Sequence, residues 1–250
     1  MSVQQDVPRS PTTGELVTVV ERRNRLGIWL CIISDATGTV ALLVAYSYLW
    51  SLNVGGGWAP PKDAFADPMP FWIIVLGGVL VPLLLWWGVK GIKAGNRGRL
   101  VAAAGLALLV ALITLVVQIV QLSTFPFGPS DGAYASATFW LCIGAAFHLA
   151  MVITLVLAVF GRTRAGLITP ANPYHAHLVA MYCTWVAIAI FLGALFATTM
   201  TTSPNTSSPP FGEFVQAPAA AGSAAPAAAS GAAPAASGSA APSAAASSGS

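Results

Sequence analysis

The chain is 250 residues long, 56% hydrophobic and 8% charged, with a formal net charge of +3 and a mean hydropathy of +0.75. About a quarter of the residues in an ordinary soluble domain are charged, so this composition excludes that class and describes a polytopic membrane protein. The small positive charge is scattered at the ends of apolar segments, which leaves no footprint for nucleic acid.

Residues 1–24 are polar, with Pro8, Pro11 and Gly14 and no apolar core ahead of Arg22-Arg23-Asn24-Arg25. They predict a retained cytoplasmic arm, not a cleaved signal. Span 1 follows, about Gly27 to Trp50, and carries one carboxylic acid, Asp35, at a depth where a charge costs about 2.5–3.5 kcal/mol on insertion scales. No other acid of the chain lies inside an apolar span. Helical spacing puts Cys31, Ser34, Asp35, Gly38 and Leu42 on one small and polar stripe, which is expected to face protein.

Ser51 to Pro70 strings together Gly55-Gly56-Gly57, Pro60-Pro61, Asp63 and Asp67 and reads as a loop. Span 2, Phe71 to about Val89, holds Gly77, Gly78 and Pro82, a proline that frees a backbone carbonyl. Lys90, Lys93, Arg97 and Arg99 form a basic turn into span 3, about Leu100 to Leu122, whose Thr114, Gln118 and Gln121 share a face. A loop without Lys or Arg, Ser123 to Gly132, leads to span 4, about Ala133 to Phe160, which contains His148. Arg162 and Arg164 then precede Pro170, Pro173, His175, His177 and span 5, about Leu178 to Thr199. After Pro209, Phe211 to Gln216 apart, the chain is Ala, Pro, Ser and Gly, a composition that cannot build a core and is expected to be disordered. It reads either as a solvated spacer or as a tether to an extracytoplasmic partner.

Ten of the 11 basic residues fall before span 1, between spans 2 and 3, or between spans 4 and 5, and Lys62 is alone on the other side. The positive-inside rule then puts the N-terminus in the cytoplasm and the C-terminus outside, in agreement with five crossings. The expected architecture is an all-α membrane protein of five transmembrane helices. It comprises a cytoplasmic arm (1–24), a five-helix domain (25–200) and an extracytoplasmic low-complexity tail (201–250).

The chain has no phosphate loop, nucleophile elbow, HExxH or paired carboxylates, so no catalytic residue is assigned. Cys31, Cys142 and Cys183 sit in three different spans without metal-ligand spacing, and no metal or cofactor ligand set is predicted. His148 is deep in span 4 whereas His175 and His177 lie near a cytoplasmic helix start. Asp35 has two readings: a proton-relay or ion-site carboxylate, or a partnered carboxyl joining helices through Gln118 or His148.

The run Arg25-Leu-Gly-Ile-Trp-Leu-Cys-Ile-Ile-Ser-Asp, continued to Tyr46-Ser-Tyr48-Leu, resembles the first helix of the five-helix form of subunit III of haem-copper oxidases. That group comprises the cytochrome c and quinol oxidases. Gly132-Ala-Tyr-Ala-Ser136 through Phe139-Trp to His148 is similar to the family helix that ends in a histidine pair. The resemblance spans about Arg25 to Met200, with departures. Ala145 stands where the family has the first histidine, Gln118 and Gln121 replace two glutamates, and Val179 and Tyr182 replace polar residues of the last helix, where Trp185 matches. These family positions line a lipid-holding cleft.

The resemblance implies a non-catalytic accessory subunit in a bacterial inner membrane. It would pack on catalytic subunit I with subunit II nearby, and haem and copper would be held by those partners. The complex would reduce dioxygen with coupled proton pumping. Asp35, Gln118, Gln121, His148 and Trp185 would serve as interhelical or lipid contacts, while Gly38, Gly144 and Ala145 would allow close helix approach. Two other readings stay open. One is the related subunit found with nitric oxide reductases; the other is a small transporter centred on Asp35, although the internal repeats common in transporters are not found.

Overall fold

The computed structural model describes residues 14–205. The expected tail therefore lies outside the described residues beyond Asn205. Five α-helices are present: α1 Val17–Leu52, α2 Pro68–Lys93, α3 Arg97–Ser123, α4 Ala133–Arg164 and α5 Tyr174–Thr199. Each is long and apolar enough to cross a membrane, and no strand occurs among the described residues. The shortest, of 26 residues, is about 39 Å long at 1.5 Å per residue, against a hydrocarbon core about 30 Å thick.

The helices overrun the apolar segments that announce them. α1 begins ten residues before the expected Gly27, because Glu21, Arg22, Arg23 and Arg25 are sound helix formers that continue a helix beyond its apolar part. Pro82 lies inside α2 without ending it. Asp67 Oδ1 accepts from Met69 N at 3.0 Å to start α2, and Asn96 Oδ1 accepts from Arg99 N at 3.0 Å to start α3. Lys90 and Lys93 end α2, and Arg162 and Arg164 end α4, on the favourable side of each helix dipole.

Four helices form a ring in which α2 packs on α3, α3 on α4, α4 on α5 and α5 on α2; α1 lies outside it, against α4 and α5. The ring is tight because α3 presents Ala103, Ala107, Ala111, Thr114, Gln118 and Gln121, all buried and spaced by three or four, along its inner face. α2 meets that face through glycines. A Cβ at Gly77 would lie 2.0 Å from Thr114 Oγ1, and one at Gly88 would lie 2.7 Å from Ala103 Cβ. Small residues permit this backbone approach, from which helices in lipid gain dispersion contact.

Two expectations about small residues are corrected. A Cβ at Gly38 or at Gly144 would meet nothing within 4 Å, so neither is a site of close approach. Nor does the stripe of α1 turn inward as a whole. Cys31, Ser34 and Gly38 are exposed, whereas Ile32, Leu43 and Tyr46 are buried and Asp35, Thr39 and Leu42 half-buried. The inward face of α1 is thus rotated from the expected one, because α1 packs chiefly on α4 and α5 and large side chains, not small ones, fill that contact.

Both ends of the bundle are tied. At the basic end, Arg97 donates from Nε to Thr163 O at 2.8 Å and from Nη2 to Arg164 O, which satisfies terminal carbonyls of α4. At the other end, the loop after α1 supplies carbonyls to the first amides of α4: Ala133 N donates to Gly57 O and Tyr134 N to Trp58 O, both at 3.0 Å. Gly132 permits this junction at φ 129°, hemmed in by the carbonyls of residues 57–59. Trp58 is 1% exposed, makes edge contacts with Tyr46 and Tyr134, and donates from Nε1 to Met200 O at 3.1 Å and Thr201 O at 3.0 Å. Trp50 Nε1 donates to Thr202 O at 2.8 Å, Ser203 Oγ returns a bond to Trp50 O at 2.6 Å, and Asn53 Nδ2 donates to Asn205 O at 2.7 Å.

Candidate functional site

The ionisable group of span 1 is met by two other helices. His148 Nε2, on α4, lies 2.9 Å from both Oδ1 and Oδ2 of Asp35, and Trp185 Nε1, on α5, donates to Asp35 Oδ2 at 2.6 Å. The Asp35 side chain keeps 27% of its exposure and that of His148 13%. Asp35, His148 and Trp185 therefore sit at the junction where α1 leans on α4 and α5. A carboxylate withdrawn from water needs donors of this kind, since an unpaired charge is far costlier than a satisfied one. Chemically the cluster holds three helices together and carries a carboxylate and an imidazole in direct contact.

Of the two partners anticipated for Asp35, His148 is the one in place. Gln118 instead donates from Nε2 to Gln121 Oε1 at 3.2 Å within α3. Both glutamines are buried, at 2% and 3% exposure, and Gln121 Nε2 has no hydrogen-bond partner among the described residues. The five site residues thus fall into two groups, the Asp35 cluster and the glutamine pair. Between them lies a cavity of about 60 Å³, lined from all five helices by Thr39, Phe71, Gln118, Cys142, Gly144, His148 and Ile190 among others.

The remaining histidines are engaged elsewhere. The His175 ring is 3.3–3.4 Å from Arg162 Nη1, and His177 packs edge-on against Trp86 with centroids 5.0 Å apart. No three His, Cys, Asp or Glu side chains converge among the described residues, and His148 Nε2 lies against the Asp35 carboxyl.

The family model for cytochrome c oxidase subunit III matches residues 3–200, the whole bundle with its loops. The chain belongs to the cytochrome c oxidase subunit III family. No curated protein matches it. Membership agrees with the resemblance carried by the Arg25 to Asp35 and Gly132 to His148 segments, and together with the five apolar helices it makes this subunit III relative a multi-pass membrane protein. Subunits III of this family associate with other subunits of haem-copper oxidases.

Sequence reasoning missed Trp58 and Trp50, which read as loop and span-end residues yet fasten the segment after α5. Their signal was available: a large aromatic amid Gly and Pro, with an N–H that needs a partner when buried. It also missed Arg97, one basic residue among four in a turn, whose role depends on the distant carbonyls of α4.

Proposed function

We propose that this chain is the non-catalytic accessory subunit III of a respiratory haem-copper oxidase, of cytochrome c or quinol type, in a bacterial inner membrane. It packs on catalytic subunit I in a complex that also contains subunit II, and supports dioxygen reduction coupled to proton pumping. The observation that carries this reading is the family match over residues 3–200 on a five-helix bundle. In this reading haem and copper belong to the partner subunits. The positive-inside distribution supports a cytoplasmic N-terminus, with Arg97, Arg162 and Arg164 at the inner surface.

Asp35, His148 and Trp185 have a structural part in this reading: they hold α1 against the ring so that the subunit docks as one body. The test is purification of the chain by a tag in mild detergent, with mass identification of what accompanies it and a reduced-minus-oxidised spectrum. Co-purification of a haem-bearing catalytic subunit with dioxygen-reducing activity is the expected result. A chain that emerges colourless and without a partner refutes the proposal.

A further inference from the structure

Three polar side chains from three helices point to what occupies the cavity that α1 helps to line beside the four-helix ring. His148 spends Nε2 on Asp35, while its Nδ1 has no partner among the described residues and the ring lines the cavity. Thr39, one turn beyond Asp35, also lines it. Several helical threonines return their hydroxyl to the carbonyl four residues back, as Thr37 does to Ile33 O at 2.9 Å, Thr114 to Val110 O at 2.7 Å and Thr184 to Ala180 O at 2.8 Å. Thr39 makes no such bond, and its hydroxyl has no partner among the described residues. From α3, Gln118 commits Nε2 to Gln121 and has its carboxamide on the cavity beside the Cys142 thiol.

Thr39 and His148 are half-buried, and an imidazole nitrogen and a hydroxyl left unbonded beside a largely apolar membrane pocket cost free energy that a hydrogen-bonding guest recovers. A buried water requires two to four polar partners and at least about 10–15 Å³ of space; the cavity, at about 60 Å³, exceeds this several times. A rigid polar ligand of larger size does not fit, and a purely apolar guest leaves His148 Nδ1 and Thr39 Oγ1 unsatisfied.

We propose that this cavity is a water site: a small cluster of ordered waters bonded to His148 Nδ1, Thr39 Oγ1 and the Gln118 carboxamide. His148 is then a bridge, with Asp35 on one nitrogen and water on the other. The Asp35 and His148 pair is in hydrogen-bonded contact with exchangeable water in place of being a dry ion pair. The groups facing it are Trp185 and Tyr182 from α5. The inference does not depend on which catalytic subunit accompanies the chain.

Gly144 supplies the means of testing it. It lines the cavity, and a Cβ there meets nothing within 4 Å, so a side chain at this position grows into the space without displacing a helix. In a high-resolution electron cryo-microscopy map of the native complex containing the chain, discrete density peaks are expected within hydrogen-bond distance of His148 Nδ1 and Thr39 Oγ1. At least one should be lost in Gly144→Val, or weakened in Gly144→Ala if the valine variant fails to assemble. Continuous elongated density identifies a lipid chain, and absence of density while waters are visible elsewhere in the bundle identifies a dry cavity; either result overturns the proposal. As a second measurement, infrared O–H stretching bands that shift in water carrying the heavy oxygen isotope should vanish in the Gly144 variant, and bands that persist unchanged there refute the assignment.

Discussion

Removing the Asp35 carboxylate should loosen α1 from the ring by an amount that can be worked out in advance. The group receives His148 Nε2 at 2.9 Å on both oxygens and Trp185 Nε1 at 2.6 Å. Hydrogen bonds to charged groups contribute about 1.5–3 kcal/mol in soluble proteins, but interhelical bonds measured in a bilayer average about 0.6 and reach about 1.7 kcal/mol. Two charge-capable partners with little exposure place the Asp35 and His148 coupling near the top of the membrane range, about 1.5 kcal/mol. This corresponds to about a twelvefold change in an unfolding equilibrium. Asp35→Ala loses both partners and should cost about 2–3 kcal/mol. Asp35→Asn, which still accepts from Trp185, should cost about half as much. The assay is detergent-induced unfolding of the purified chain in mixed micelles, followed by far-ultraviolet circular dichroism, on a double-mutant cycle of Asp35→Ala with His148→Ala. If the two single effects add to within about 0.3 kcal/mol, the residues are uncoupled and the reasoning is refuted.

Other outcomes follow from the same contacts. Gly77→Ala drives a methyl into Thr114, which is held by its own bond to Val110 O, and should lower stability by about 1–3 kcal/mol, with partial recovery when Thr114→Ala is added. Gly144→Ala, in open space, should stay within about 0.5 kcal/mol of the parent; the difference between the two glycines is read from the detergent midpoints. Trp58→Phe keeps most of the ring but loses the donor to Met200 O and Thr201 O, for about 1 kcal/mol, whereas Trp58→Ala should cost about 3–5 kcal/mol. Arg97→Ala uncaps the end of α4, and limited proteolysis within residues 165–172 should speed up relative to Arg97→Lys, which keeps one donor.

The five helices were legible because the apolar runs are long and the basic turns punctuate them, so hydropathy and charge carry the topology without reference to packing. The facing of α1 was not. In lipid both faces of a helix are apolar, and polarity ceases to mark the inside; Cys31, Ser34 and Gly38 look like an interface but lie outward, while Ile32, Leu43 and Tyr46 make it. Asp35 and His148 stood out as ionisable residues in apolar spans, yet their pairing depends on α1 and α4 meeting at one depth, 113 residues apart in the chain. The glycines show the same limit. Gly77 and Gly144 are alike in sequence, and only the neighbour across the gap, Thr114 for one and a cavity for the other, tells them apart.

The fastening of residues 200–205 has a mechanical consequence. A short stretch after α5 is held by Trp50, Asn53 and Trp58, residues about 150 positions earlier in the chain. A pull on the chain end is therefore delivered to the loop that follows α1 before it reaches the last turn of α5. That same loop seats the first turn of α4 through the carbonyls of Gly57 and Trp58. α1, α4 and α5 thus share a single anchor, and traction applied to the segment after α5 is divided among these three helices in place of drawing α5 out singly.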